Sequence, residues 1–85
     1  MRVIVPSHLQ AYTHGETEVL ARGATLAEVL ADLEARFPGM RFRVIDEQDR
    51  IRPHVKFFVG GDEVNTLDTP VGDREVQIVA ALSGG

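Results

Sequence analysis

A small α+β domain, one mixed sheet of four to five strands packed on one main helix, is the fold class that three features of the chain predict. Thr25 followed three residues later by Glu28 opens an amphipathic run, which is the pattern of a capped helix start. Short runs rich in β-forming residues stand at both ends of the chain and after Pro53, each bounded by proline or glycine. The last of them, Val76-Gln77-Ile78-Val79-Ala80, is the most apolar. It is therefore expected at the centre of the sheet, parallel to the first strand, in the two-layer arrangement that lets one helix cover one sheet.

Each element follows in order. Arg2 to Pro6 alternates Val3 and Val5 with Arg2 and Ile4 and predicts a short strand that Pro6 ends. A polar loop through Ser7, His8, Tyr12, Thr13, His14 and Gly15 leads to a second strand over Glu16 to Ala21, an antiparallel hairpin partner of the first. From Leu26 to Phe37 the residues Leu26, Val29, Leu30, Leu33 and Phe37 share one helical stripe, and Glu28, Asp32, Glu34 and Arg36 lie outside it. Pro38 and Gly39 stop that helix. Met40, Val44 and Ile45 fit one amphipathic turn, and Asp46 to Asp49 a polar loop. His54 to Val59 predicts a third strand with Val55, Phe57 and Val59 on one face, and Gly60-Gly61-Asp62 the turn of a hairpin returning over Glu63 to Asn65. A turn-rich connection with Pro70 and Gly72 then feeds a final strand over Glu75 to Leu82.

Composition excludes several functions. A chain of 85 residues, 44% hydrophobic and 26% charged, has room for one domain and one modest core. It leaves little space for a ligand pocket of about 300 Å³ or more. No apolar run approaches the roughly 20 residues of a membrane span, and Met1 to Pro6 is too short an apolar start for a secretory signal, so the expected location is cytoplasmic. The absence of cysteine removes disulfides, thiolate metal sites and a thiol nucleophile together. Net charge is −4, and the nine basic residues are spread along the sequence, which speaks against a nucleic-acid footprint.

Side chains offer little catalytic chemistry. His8, His14 and His54 have neither metal-ligand spacing nor companion carboxylates. Gly60-Gly61 is not followed by a helix, so a phosphate cradle is not expected there. Glu28, Asp32 and Glu34 lie on a helix face, Asp46, Glu47 and Asp49 in a loop, and no acid–base pair or nucleophile motif accompanies them. What remains is the sequence's end, Ala81-Leu82-Ser83-Gly84-Gly85. Glycine makes up roughly 7% of average sequence, so a terminal pair is uncommon by chance. The reading divides the chain into a domain of residues 1–82 and a tail of residues 83–85.

Several stretches together resemble the ubiquitin-like sulfur-carrier proteins of the MoaD/ThiS family, over nearly the whole chain. They are the strand that begins almost at Met1, Gly23-Ala24-Thr25-Leu26 opening the helix and Phe37-Pro38-Gly39 closing it. Asp46 to Pro53, His54 to Val64, Asp68 to Val76 and the final Gly84-Gly85 complete the match. Within that family the length and Arg52-Pro53-His54-Val55 look more like the CysO-like subgroup than like the shorter thiamine carriers.

The resemblance implies a β-grasp fold and a carrier, not an enzyme. No cofactor is bound. A partner adenylating enzyme, E1-like and of the MoeB/ThiF type, uses Mg-ATP to activate the Gly85 carboxylate, and a sulfur donor converts it to a thiocarboxylate that a sulfur-accepting synthase consumes. Gly84, lacking a Cβ, lets the tail thread a channel too narrow for side chains. Leu82 and Ser83 would lie at its mouth, Leu82 either as an anchor or as the last core residue of the strand. A metalloprotease is a further partner if Gly85 has to be exposed by cleavage. Partners of the family grip the sheet face away from the helix, and the parity of the strands places Ile4, Phe58, Gln77 and Val79 there. The alternatives are a protein modifier conjugated to lysines through Gly85, and a β-grasp binding module whose tail is never activated.

Overall fold

The computed structural model describes residues 1–80. Its strands are β1 (Arg2–Ile4), β2 (Glu18–Leu20), β3 (Val55–Val59), β4 (Asp62–Val64) and β5 (Val76–Ala80), and its helices α1 (Leu26–Arg36) and α2 (Met40–Val44). One sheet holds all five strands in the order β2-β1-β5-β3-β4. The final strand is central as expected, parallel to β1 and antiparallel to β3. The two hairpins, β1–β2 and β3–β4, flank it.

The helix start follows the predicted chemistry with one change of partner. The Thr25 hydroxyl accepts the Glu28 N–H at 3.3 Å, and Glu28 Oε1 accepts the N–H of Ala24, not of Thr25, at 3.0 Å. The next free donors of the first turn are met by a distant loop: Leu26 N–H donates to the Thr69 carbonyl and Ala27 N–H to that of Leu67. The turn-rich connection before β5 is thus tied across the N-terminus of α1.

Core packing follows the predicted faces. Val3, Val5, Val55, Phe57, Val59, Val76 and Ile78 from the sheet meet Leu26, Val29, Leu30 and Leu33 of α1, with all of them buried. Each such side chain contributes on the order of 1.5–3 kcal/mol relative to exposure. Phe37, expected on the same stripe, is only half-buried, because it is the C-cap residue with its backbone out of the helical region.

One reading of the loops needs correction. The first loop is not uniformly polar and exposed. It contains a 3-10 turn at Ser7–Leu9 that places Leu9 in the core, and Thr13 is buried with its hydroxyl donating to the Glu16 carbonyl at 2.8 Å. Met40, Val44 and Ile45 are buried as the amphipathic turn predicts. That turn is locked to α1 by one side chain: the Glu34 carboxylate accepts the N–H groups of Gly39 at 2.8 Å and Arg41 at 2.9 Å. These two backbone donors, Gly39 first, hold the Glu34 carboxyl below its ordinary range. Among the described residues no helix is long and apolar enough to cross a membrane.

Candidate functional site

The site is built around the end of β5. Its ladder with β1 runs from Val76 to Gln77, and its ladder with β3 continues to Ala80, which lies opposite Val55. The ladder has a physical limit on the β3 side. Val55 N–H closes a turn onto the Arg52 carbonyl at 2.9 Å across Pro53 and His54, and proline has no N–H with which to extend pairing. The expected reacting group at Gly85, and Gly84, Ser83 and Leu82, lie outside the described residues, as does the expected boundary between residues 82 and 83.

The sheet face away from α1 carries the four residues assigned to it. Ile4, Gln77 and Phe58 stand side by side in one row across β1, β5 and β3, and Val79 lies in the next row, opposite Lys56. Ile4 and Phe58 are half-buried, Gln77 is exposed, and Val79 is 38% exposed. Exposed apolar groups collected on one face are the ordinary mark of a docking surface.

Two contributors to this face were not singled out from the sequence. Leu20, 69% exposed, lies opposite Arg2 on the edge strand β2, one row from Ile4, whose own partner on β2 is Glu18. Lys56 borders Val79. Both are readable from parity once the cross-strand register is known, but that register is set by pairing partners distant in sequence. The rim is charged: Arg2 reaches Glu75 at 2.6 Å and Glu18 at 3.6 Å, and Glu63 stands opposite Phe58.

Around the corner from Val79 lies an open groove of about 810 Å³, whose lining includes Arg41, Arg50, Arg52, Pro53, Val55 and Lys56. This corrects the expectation that the chain lacks space of this size; four of the nine basic residues line the groove, together with Asp49, Glu63 and Asp68. The β3–β4 hairpin and the loop after α2 line this corner together, where Arg41 joins Arg50, Arg52 and Lys56 beside those carboxylates. The loop owes its shape to Asp46. Its Oδ1 accepts the N–H groups of Gln48 at 2.9 Å and Arg50 at 3.0 Å, and Ile45 bridges to Ile51. Donation from the Arg50 N–H is the largest cause holding the Asp46 carboxyl below its usual value.

His14 is on the opposite side of the functional question: its ring packs edge-on to Phe37 at 6.4 Å. Among the described residues no group of three or more His, Asp or Glu side chains is disposed to hold a metal ion.

Comparison with known proteins decides the family. The profile of the ThiS family matches residues 3–85. The chain belongs to the ThiS family. Two proteins named sulfur carrier protein CysO, from Mycobacterium tuberculosis (strain ATCC 25618 / H37Rv) and Mycobacterium bovis, are each 34% identical over 89 residues, which covers 98% of this chain and 96% of the relative. The crystal structure of Mycobacterium tuberculosis CysO superposes with a TM-score of 0.89 at 31% identity, over 95% of this chain and 98% of that one. A chain from the Amycolatopsis orientalis BexX/CysO complex gives 0.91 at 31% identity, over 99% and 98%. The solution structure of small archaeal modifier protein 1 from Methanosarcina acetivorans gives 0.81 at 20% identity, over 99% and 94%, a likeness of fold alone. The ThiS-family chain thus adopts the ubiquitin-like β-grasp fold that the sequence resemblance implied.

Proposed function

We propose that the chain is a sulfur carrier whose terminal Gly85 carboxylate is the working group, and that it is a substrate of other enzymes instead of a catalyst. The observation that carries this reading is the ThiS-family match, which runs through Gly84 and Gly85. The full-length kinship to proteins named sulfur carrier protein CysO supports it.

The chemistry needs nothing from the folded domain's side chains. A carboxylate is a poor electrophile. An E1-like adenylating enzyme of the MoeB/ThiF type joins it to the α-phosphate of Mg-ATP, forming the acyl-adenylate and releasing pyrophosphate. Hydrosulfide or an equivalent donor then attacks the acyl carbon, AMP leaves, and one proton is released as the thiocarboxylate forms. The sulfur is now a nucleophile that a synthase can direct onto an acceptor. Among acceptors in cysteine, molybdopterin, thiamine or related synthesis, kinship to CysO favours the cysteine branch. The ATP-dependent step suits a cytoplasmic location. A metalloprotease enters the scheme only if the carrier is made with an extension beyond Gly85.

The domain's part is presentation. Ala80 is held in the central strand by its pairing with Val55, so Gly85 lies at most about 18 Å of extended chain beyond a rigid anchor. The apolar band of Ile4, Phe58, Val79 and Leu20 is the surface a partner would cover while drawing the tail into its channel. The complex solved for the Amycolatopsis orientalis CysO with BexX supports the idea of a carrier read by a protein partner.

Intact-mass spectrometry tests the reading. Incubation with the adenylating enzyme from the same organism, Mg-ATP and a sulfur donor is expected to add about 16 Da, the exchange of one oxygen for sulfur in thiocarboxylate activation. Deleting Gly84 and Gly85 abolishes the shift. An unchanged mass with an enzyme that activates another carrier in the same assay overturns the proposal.

A further inference from the structure

The groove at the end of β5 carries an inference that rests on the sulfur-carrier reading and goes beyond it. Ala80, the last described residue, pairs with Val55, and Val55, Lys56, Pro53 and Arg52 all line the groove. Gly85 is five residues beyond Ala80, so an enzyme that takes hold of Gly85 approaches the domain from this end of β5.

The cations of the corner are not equivalent. Arg41 is paired with Asp49 at 3.1 Å and Arg50 with Asp46 at 3.6 Å. Among the described residues, Arg52 and Lys56 have no carboxylate at ion-pair distance. Arg52 is nevertheless held in place: its guanidinium lies 4.5 Å over the Phe42 ring, and its Nε donates to the Phe42 carbonyl at 2.8 Å. One donor is used, and the terminal nitrogens retain a fork suited to a carboxylate. Lys56 is exposed on the outer face beside Val79. The groove's remaining carboxylates, Glu63 and Asp68, pair with neither cation.

We propose that Arg52 and Lys56 are a docking pair for carboxylate side chains on the rim of the enzyme that receives the tail. The partner surface is thus acidic beside an apolar patch. On a chain of net charge −4, an acidic surface is repelled overall and is drawn to sites where cations have no carboxylate partner. The pair therefore orients the encounter so that the correct end of the sheet meets the channel. Charges at an interface rim act mainly on encounter and on wrong-partner rejection. Their effect on activation is accordingly a matter of carrier concentration and salt, not of the chemical step.

The test is the steady-state rate of thiocarboxylate formation on the full chain, as a function of carrier concentration and ionic strength. The variants are Arg52→Glu, Lys56→Glu and, as a remote charge control, Arg22→Glu. Expected are a KM for the carrier raised about tenfold by Arg52→Glu or Lys56→Glu with kcat kept, and a wild-type KM that rises with salt where that of either single variant does not. Arg22→Glu leaves KM within about twofold. Because Arg52 also packs on Phe42, Lys56→Glu, at an exposed side chain with no ion pair among the described residues, separates docking from folding. Equal KM values for Lys56→Glu and wild type, or an equal rise in Arg22→Glu, overturn the docking pair while the wild-type mass shift still stands. Absence of the wild-type shift removes the sulfur-carrier reading, and this proposal with it.

Discussion

Val79 on β5 stands directly across the ladder from Lys56 on β3, and both side chains lie on the sheet face away from α1. An apolar and a cationic group are thereby fixed side by side in the pair next to Ala80–Val55. The apolar band and the basic groove meet at this pair, so a partner approaching the tail encounters both.

The apolar half of that surface is tested at Phe58, half-buried between Gln77 and Glu63 on the outer face. Phe58→Ala is expected to raise the KM of the adenylating enzyme for the carrier about tenfold, the size of one aromatic anchor at an interface. A melting curve run in parallel should show a retained cooperative transition. An unaltered KM excludes Phe58 from the partner contact.

A second prediction concerns the fold. Phe57, the neighbour of Phe58 on the opposite face, is fully buried. Phe57→Ala should cost about 3–5 kcal/mol, a large share of the roughly 5–15 kcal/mol that holds a domain of this kind. Urea titration of the two alanine variants side by side is expected to separate them clearly, with Phe57→Ala far less stable.

Gly23 serves close packing. A Cβ built there lies 2.6 Å from Val29 N and 2.8 Å from the Glu28 carbonyl carbon, both backbone atoms of the first turn of α1. Since rigid backbone cannot swing aside, Gly23→Ala should destabilise by about 1–3 kcal/mol. A midpoint in urea equal to wild type would show that the segment before the helix re-routes freely.

The pH dependence of stability follows from Glu34. Its carboxyl is held below the ordinary value of 4.5 by the N–H groups of Gly39 and Arg41. A depressed folded-state value means that the ionised form is favoured by folding. The contribution is complete above the ordinary value and is lost as pH falls through the lower folded one. Glu34→Gln should therefore be less stable than wild type by about 0.5–1 kcal/mol at neutral pH. The gap should close in acid, once both proteins carry a neutral side chain there. A gap that persists undiminished at pH 2 contradicts the assignment.

Local patterns carried most of this structure. The capping residues Thr25 and Glu28, the stripe from Leu26 to Leu33, the alternation of Val55, Phe57 and Val59 and the turn at Gly60-Gly61 all depend on neighbours within a few positions, and all are found where the chain predicts them. The less legible parts are those whose partners are remote. Leu9 looks like a loop residue until the 3-10 turn carries it under the sheet, and Glu34 looks like a solvated helix residue until α2 places two N–H groups against it. The candidate site divides in the same way. The parity of β1, β3 and β5 is sufficient to put Ile4, Phe58 and Val79 on one face, whereas Leu20 joins them only through the register that sets it opposite Arg2.

By itself, the sequence determined the element types, the central apolar strand, the terminal Gly84-Gly85 and the family kinship that these express, because each rests on residue chemistry read over short spans. The tertiary structure alone decided that Arg52 and Lys56, with Arg41 and Arg50, share one groove beside the end of β5. Arg50, Arg52 and Lys56 are near neighbours in the chain, but Arg41 reaches their groove and Lys56 its place beside Val79 only through tertiary closure, and no local periodicity records where such loops close.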